Sequence, residues 1–300
     1  MVKIQNRITL RSLFACFYLF PLCSHSAESY IAVAAAYEPE VVAIKEAFAS
    51  DKTKVSEKNI HGINFETLDY KGKKLLFFPT GMSLTNAAMS TQIAFDHFPI
   101  STFLFAGIAG GINPDLLPGD VTIPARWYYH AEAAYFNPKK GGGYDVAPYF
   151  KPKYPNFGMI FPDDVTVIRD GMKKPTRKAY FPADARLLAI AKKAIRAMPP
   201  LTVGDRIANV KIGGVGVTGP VFMDNAEYRK WVWRVWKADC LEMESAAMAQ
   251  VCWTNRKPCL IVRSLSDLAG GQKGLNQIND FEAVSSKNAA LALRSIVDAL

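Results

Sequence analysis

Leu260-Ile-Val-Arg-Ser-Leu-Ser-Asp-Leu-Ala-Gly-Gly271 is a largely apolar run that ends in an acid and a glycine pair, which predicts a buried strand stopping at a tight bend. Upstream stands Cys240-Leu-Glu-Met-Glu-Ser-Ala-Ala-Met-Ala249, which leads into a helix-like run. Glu242, Glu244 and Asp267 therefore fall at the edges of apolar segments, where an unpaired carboxylate is costly. Active sites are the commonest reason for keeping charge in such a place.

The same alternation of apolar strands and helices recurs along the rest of the chain. Tyr30-Ile-Ala-Val-Ala-Ala-Ala36 lacks polar alternation, as expected of a strand buried on both faces. Tyr37-Glu-Pro-Glu40 breaks it, and helical spacing follows over Val41–Phe48 with Pro39 near the helix start. Glu40 thus sits at a strand-to-helix turn, where open α/β sheets collect ligands, although a first-turn acid favoured by the helix dipole has the same position. Ile60–Leu68 and Lys74–Pro79 read as strands joined at Lys71-Gly72, and Gly81–Phe95 as a glycine turn feeding a helix. Thr102–Ala106 reads as a buried strand and Gly107-Ile-Ala-Gly-Gly111 as the turn after it. Asp120–Pro124 and Ile207–Val217 read as further strands, and Asp184–Met198, Ala226–Trp236 and Asp280–Leu300 as helices. The pattern predicts one α/β domain folded as a three-layer αβα sandwich around a central mixed sheet, spanning residues 27–300. Residues 127–180, with Gly141-Gly-Gly143 and many prolines, form a long irregular insertion of the kind that serves as a cover or contact surface. His130 within it is expected to be a packed histidine.

Composition narrows the class. The chain has 300 residues, half of them apolar, and its net charge of +9 is not gathered into a stripe with interleaved aromatics, so no nucleic-acid partner is expected. Lys3, Arg7 and Arg11 precede the short apolar core Leu13–Leu22, and small residues follow up to Ala27. That three-part form predicts a secretory signal peptide over residues 1–26, a periplasmic or secreted product, and no membrane attachment after cleavage. Cys16 and Cys23 leave with it; Cys240, Cys252 and Cys259 have no metal-ligand spacing and are expected to be buried free thiols.

Four motifs in order carry a resemblance: Ala36-Tyr-Glu-Pro-Glu-Val41; Ala106-Gly-Ile-Ala-Gly-Gly111 with Pro118-Gly-Asp-Val-Thr-Ile123; Leu241-Glu-Met-Glu-Ser-Ala246; and Val262-Arg-Ser-Leu-Ser-Asp267. The chain resembles the nucleoside phosphorylase/nucleosidase superfamily, above all the 5′-methylthioadenosine/S-adenosylhomocysteine nucleosidases. The glycine segment, the long insertion ending in Ile160-Phe-Pro162, and Arg263–Gly271 look more like the secreted plant bark and vegetative storage proteins of that superfamily. The resemblance implies a nucleoside phosphorylase-like fold and a purine nucleoside as substrate, with no cofactor or metal and a homodimer as the default assembly. It further implies that Asp267 is the general acid at N7 of the purine and that Glu40 is the base that deprotonates a water for attack at C1′. Glu244 would hold the ribose 2′- and 3′-hydroxyls, Met243 would lie against the sugar, and Ser266 would support the aspartate. Phe222 would stack on the purine, and the Met223 backbone would read the base edge. Ile108 stands where the nucleosidases carry a hydroxyl residue, and Tyr37 where they carry methionine, so the pocket near the sugar departs from the pattern and the resemblance does not fix the 5′ substituent.

These roles meet independent demands. Breaking an N-glycosidic bond at neutral pH needs a proton for the leaving base and negative charge beneath a sugar that turns cationic. Arg263, beside the acids, is expected to be their salt-bridge partner, and Glu242, two residues before Glu244, to be structural. The related phosphorylases place an arginine where this chain has Phe105, and a phosphate dianion without that fork loses its bidentate partner. Hydrolysis is therefore expected, releasing free base and ribose sugar. The alternatives are a phosphorylase completed by a partner subunit's arginine and a catalytically weak purine-binding or storage protein.

Overall fold

Alternate residues of the first strand face opposite ways: Val33 and Ala35 join one buried cluster, Ala32 and Ala34 another. This two-faced burial places a sheet between two helical layers, as the sequence pattern predicts. The computed structural model describes residues 29–300, so the expected signal segment lies outside the described residues.

The chain begins with β1 (Tyr30–Ala35) and α1 (Glu38–Ala47), followed by the meander β2 (Lys52–Ile60), β3 (Ile63–Tyr70) and β4 (Lys73–Pro79). Next come α2 (Leu84–His97), β5 (Ile100–Gly111), β6 (Val121–Ile123) and β7 (Arg126–Tyr129). The insertion holds only short strands: β8 (Ala133–Tyr135), β9 (Ile160–Pro162), β10 (Val165–Val167), β11 (Thr176–Lys178) and β12 (Tyr180–Pro182). Then follow α3 (Ala185–Ala197), β13 (Thr202–Val203), β14 (Arg206–Ile207), β15 (Val210–Ile212), β16 (Val215–Thr218) and α4 (Ala226–Trp236). β17 (Cys240–Glu242), α5 (Ser245–Thr254), β18 (Cys259–Asp267) and α6 (Ile278–Asp298) complete it.

The main sheet runs β12-β7-β16-β17-β5-β1-β4-β3-β2, with β18 on the other edge of β5 and β6 joining β18 to β15. It is mixed: β5 is parallel to β1 and β18 and antiparallel to β17. α1, α3 and α6 cover one face, with Ile44, Leu187 and Leu293 in its core; α2 and α5 cover the other, with Ala87 and Met248. A third cluster sets Tyr228, Trp231 and Trp236 of α4 against β16 and the insertion. Trp231 donates through Nε1 to Pro155 O at 3.0 Å, and Phe157 packs on both Tyr228 and Trp231. The aromatic helix is thus packing, and the insertion is anchored on it. His130 is buried, its Nδ1 2.8 Å from the Tyr228 hydroxyl, and burial lowers its pKa to about 4. Cys240, Cys252 and Cys259 are buried free thiols.

Three expectations need correction. The strand read as Ile60–Leu68 straddles a hairpin whose turn is His61-Gly62, both at positive φ, and β2 before it went unread because Lys-Thr-Lys-Val-Ser-Glu-Lys-Asn carries almost no apolar signal. That charged composition suits its place at the edge of the sheet, where it discourages pairing with another chain. The single strand read over Ile207–Val217 is interrupted twice: at Ala208-Asn209, between the end of β14 and β15, and at Gly213-Gly214, both at positive φ, between β15 and β16. Gly107–Gly111 is no turn but the last part of β5, paired with β18 through Asp267.

Candidate active site

The glycines of β5 are needed because the space over them is taken. A Cβ on Gly107 would lie 2.5 Å from Glu40 Oε1 and closer still to Arg263 Nη1; one on Gly110 would lie 3.2 Å from Asp267 Oδ1. Backbone and acids approach each other across this strand, and that is what the small residues permit.

Glu40 is the third residue of α1 and is 2% exposed. It bends back over the helix start: Oε2 accepts from the backbone N–H of Ala36 at 2.8 Å and of Tyr37 at 3.3 Å, while Oε1 accepts from Ile108 N at 2.8 Å. Burial raises its pKa, against the opposing pull of Arg263 and of these three N–H groups.

Glu244 follows β17 at the start of α5. Its Oε1 accepts from Ser83 N at 2.7 Å and its Oε2 from Arg263 Nη2 at 3.1 Å. Ser83, which precedes α2, holds φ 75° and ψ 163°, a backbone region that costs a non-glycine residue about 1–3 kcal/mol. The strained residue aims its N–H at the carboxylate. Burial pushes Glu244 up to about 7, with Arg263 pulling the other way.

Arg263, 1% exposed on β18, holds the acids together. It pairs with Glu242 and Glu244, lies 3.7 Å from Glu40 Oε1, and donates to Ile108 O at 3.0 Å. Its guanidinium carbon sits 4.5 Å from the centroid of the Phe105 ring. Glu242 also accepts from Thr218 Oγ1, Glu244 N, Ser245 N and Ser245 Oγ, so its lone pairs are used by the protein, as its structural reading requires.

Ser266 and Asp267 are consecutive, and an unbroken strand would point them to opposite faces. A register shift between Leu265 and Asp267 turns both into one cavity. Asp267 Oδ2 accepts from Ser266 Oγ at 2.8 Å; Oδ1 accepts from Ala269 N at 2.7 Å and from Asn276 Nδ2 at 3.4 Å.

The cavity measures about 190 Å³, and all eight residues singled out from sequence line it: Glu40, Ile108, Phe222, Met223, Met243, Glu244, Ser266 and Asp267. Phe222 stands at the mouth, 59% exposed. No residue of 127–180 is in the lining, so the insertion is not a lid on this cavity within the chain. A larger cavity of about 650 Å³ opens between the C-terminal ends of α3 and α6, but the converging buried carboxylates lie only at the smaller one. Sequence reading missed Ser83 and Ala36, which act through backbone N–H groups and leave no side-chain signal. It also missed Asn276 and Glu282; the latter accepts a hydrogen bond from Tyr37 across the cavity.

The family model described as the phosphorylase superfamily matches residues 30–300. A 5′-methylthioadenosine/S-adenosylhomocysteine nucleosidase of Marinomonas is 28% identical over 270 residues, covering 90% of this chain and 98% of the relative. The enzyme of the same name from Bacillus subtilis is 26% identical over 268 residues, covering 89% and 97%. Among solved structures, futalosine hydrolase of Helicobacter pylori superposes with a TM-score of 0.67 at 22% identity, over 91% of this chain and 99% of that one. The 5′-methylthioadenosine/S-adenosylhomocysteine nucleosidase of Helicobacter pylori does so with a TM-score of 0.67 at 23% identity and the same coverage. These two likenesses concern the fold.

Proposed function

The chain belongs to the phosphorylase superfamily, and on that premise we propose that it hydrolyses the N-glycosidic bond of purine nucleosides of the 5′-methylthioadenosine and S-adenosylhomocysteine type. One observation carries the choice of water over phosphate. The described residues lining the cavity include five carboxylates, Glu40, Glu242, Glu244, Asp267 and Glu282, and one cation, Arg263. That cation is buried and already shared among Glu40, Glu242 and Glu244. A phosphate dianion would enter against net negative charge with no free guanidinium to receive it. A neutral water meets no such barrier.

In this reading Glu244 accepts from the ribose 2′- and 3′-hydroxyls, exchanging its present bonds to Ser83 N and Arg263 in part for substrate. Asp267 delivers a proton to N7, and the C1′–N9 bonding pair leaves with the base. The sugar develops oxocarbenium character, which the carboxylates beneath it stabilise. Glu40 takes a proton from water as its oxygen bonds C1′. One nucleoside and one water give one purine and one free sugar.

Base release from methylthioadenosine, inosine and adenosine is expected to be independent of phosphate; turnover only in its presence would overturn hydrolysis. The same assay run against pH should show kcat/KM rising through about 7, because Glu244 must ionise and burial pushes it up to about 7. The limb belongs to the acids around Arg263 together, because Glu40 and Glu244 lie against the same guanidinium. A flat profile from about pH 5.5 to 8.5 would remove ionised Glu244 from the mechanism.

Export and dimerisation complete the proposal. Residues 1–26 have signal-peptide form, and the cavity mouth carries Met82, Val221 and Phe222 at 57%, 39% and 59% exposure, an apolar rim that a second copy would cover. An exported protein starting at residue 27 and sedimenting at twice the monomer mass is the expected result; retention of the segment or a monomer would count against it.

A further inference from the structure

A furanose presents three things to a site: the base on C1′, the hydroxyls on C2′ and C3′, and the arm on C5′. On the nucleosidase reading, Asp267 takes the base and Glu244 the hydroxyls. The wall left for the arm is formed by Ala36, Tyr37, Met82, Ile278 and Glu282. An apolar arm would suit an apolar wall, and this wall is not one.

Its polar part is built, not incidental. The Tyr37 phenol donates to Glu282 Oε1, joining the residue before α1 to the second turn of α6. Tyr37 is held above its ordinary phenol value by burial, by that bond and by the charges of Glu40, Glu282 and Glu244, so it stays a donor. The start of α6 is fixed separately. Asn276 Oδ1 accepts from Ile278 N at 2.9 Å, and its Nδ2 reaches Asp267 Oδ1 at 3.4 Å. The wall is therefore tied to the residue that serves the leaving base. Among the described residues no hydrogen bond is formed to Glu282 Oε2, which leaves an oriented acceptor for a ligand.

We infer that Glu282, oriented by Tyr37, selects purine nucleosides whose 5′ arm carries a hydrogen-bond donor, a hydroxyl or an ammonium, over those whose arm ends in an apolar group. The physical basis is asymmetric. A donor arm replaces the water it displaces from the carboxylate, whereas a methyl or methylthio group strips that water and returns nothing. Sites that bond a substrate hydroxyl discriminate strongly against the analogue lacking it.

The test uses pairs that differ only at the arm: adenosine with 5′-deoxyadenosine, and S-adenosylhomocysteine with 5′-methylthioadenosine. The wild-type protein should favour at least one donor-bearing member by roughly tenfold or more in kcat/KM, the size of one hydrogen bond to a charged group. A preference confined to the first pair assigns the donor as hydroxyl, and one confined to the second as ammonium. Glu282→Leu should bring the preferred ratio to about one or invert it, and Glu282→Gln should lower it part-way. Because the ratio is read within each protein, a general loss of folded enzyme cancels. Ratios of about one or less for both pairs in the wild type, or ratios unchanged in Glu282→Leu, overturn the inference. No base release from any of the four would instead overturn the nucleosidase reading beneath it.

Discussion

Asp267→Asn is expected to lower base release by about 10²–10⁴-fold, the usual contribution of a general acid, while the protein stays folded and still binds adenine. The substitution preserves shape. An asparagine carbonyl can keep the bond from Ala269 N, and its amide can donate to Ser266 Oγ where the carboxylate now accepts. What it lacks is a proton acidic enough to hand to N7 as the bond breaks. The loss should therefore fall on kcat, with adenine affinity and the thermal midpoint little changed. Rapid-quench turnover and calorimetric titration with adenine measure the two sides. Undiminished turnover would take Asp267 out of the mechanism, and a lost fold would show the aspartate to be structural.

How much of this site could be read from sequence depends on where each signal lives. Asp267 and Glu244 were legible because they interrupt apolar runs, and Glu40 because Pro39 marks a helix start immediately after a buried strand. The two-layer covering of the sheet followed from the unbroken apolar run of β1, whose alternate residues serve both helical layers. The glycine segment was misread because small residues announce a close approach without saying of what. Here the protein's own Glu40 and Arg263 side chains fill the space, so the strand continues instead of turning. β2 is invisible to pattern reading because an edge strand made almost wholly of charged and polar residues has no apolar period to detect. The Tyr37–Glu282 contact joins residues 245 positions apart, and nothing local in either stretch predicts it. Glu282 looks like an ordinary solvent-face residue of an amphipathic helix until the fold places it at the cavity. Ser83 acts through its N–H, which every residue but proline has, so only its backbone geometry reveals it.

Arg263→Met should cost stability as heavily as any single change in the chain, about 3–5 kcal/mol, the range for removing one partner of a buried ion pair. A methionine fills much of the volume and could keep the contact with the Phe105 ring. It cannot answer the carboxylates of Glu40, Glu242 and Glu244, which are 2%, 5% and 5% exposed and would face one another across an apolar gap. The pH dependence separates this from a packing defect. In the intact protein Arg263 opposes the burial that raises Glu40 and Glu244, so removing it raises both further. A carboxyl whose folded pKa lies above its unfolded value contributes stability in full below the unfolded value and loses it as pH rises through the folded one. The variant's deficit should therefore be smallest near pH 4.5, the ordinary value of these groups, and should grow through and beyond about 7. Urea midpoints across that window give the measurement. A deficit independent of pH would mean that the cavity left by the guanidinium, not the unanswered charge, sets the loss. A variant as stable as the wild type at high pH would show that water or a counter-ion reaches the acids, and the cluster would then be far less sealed than its burial indicates.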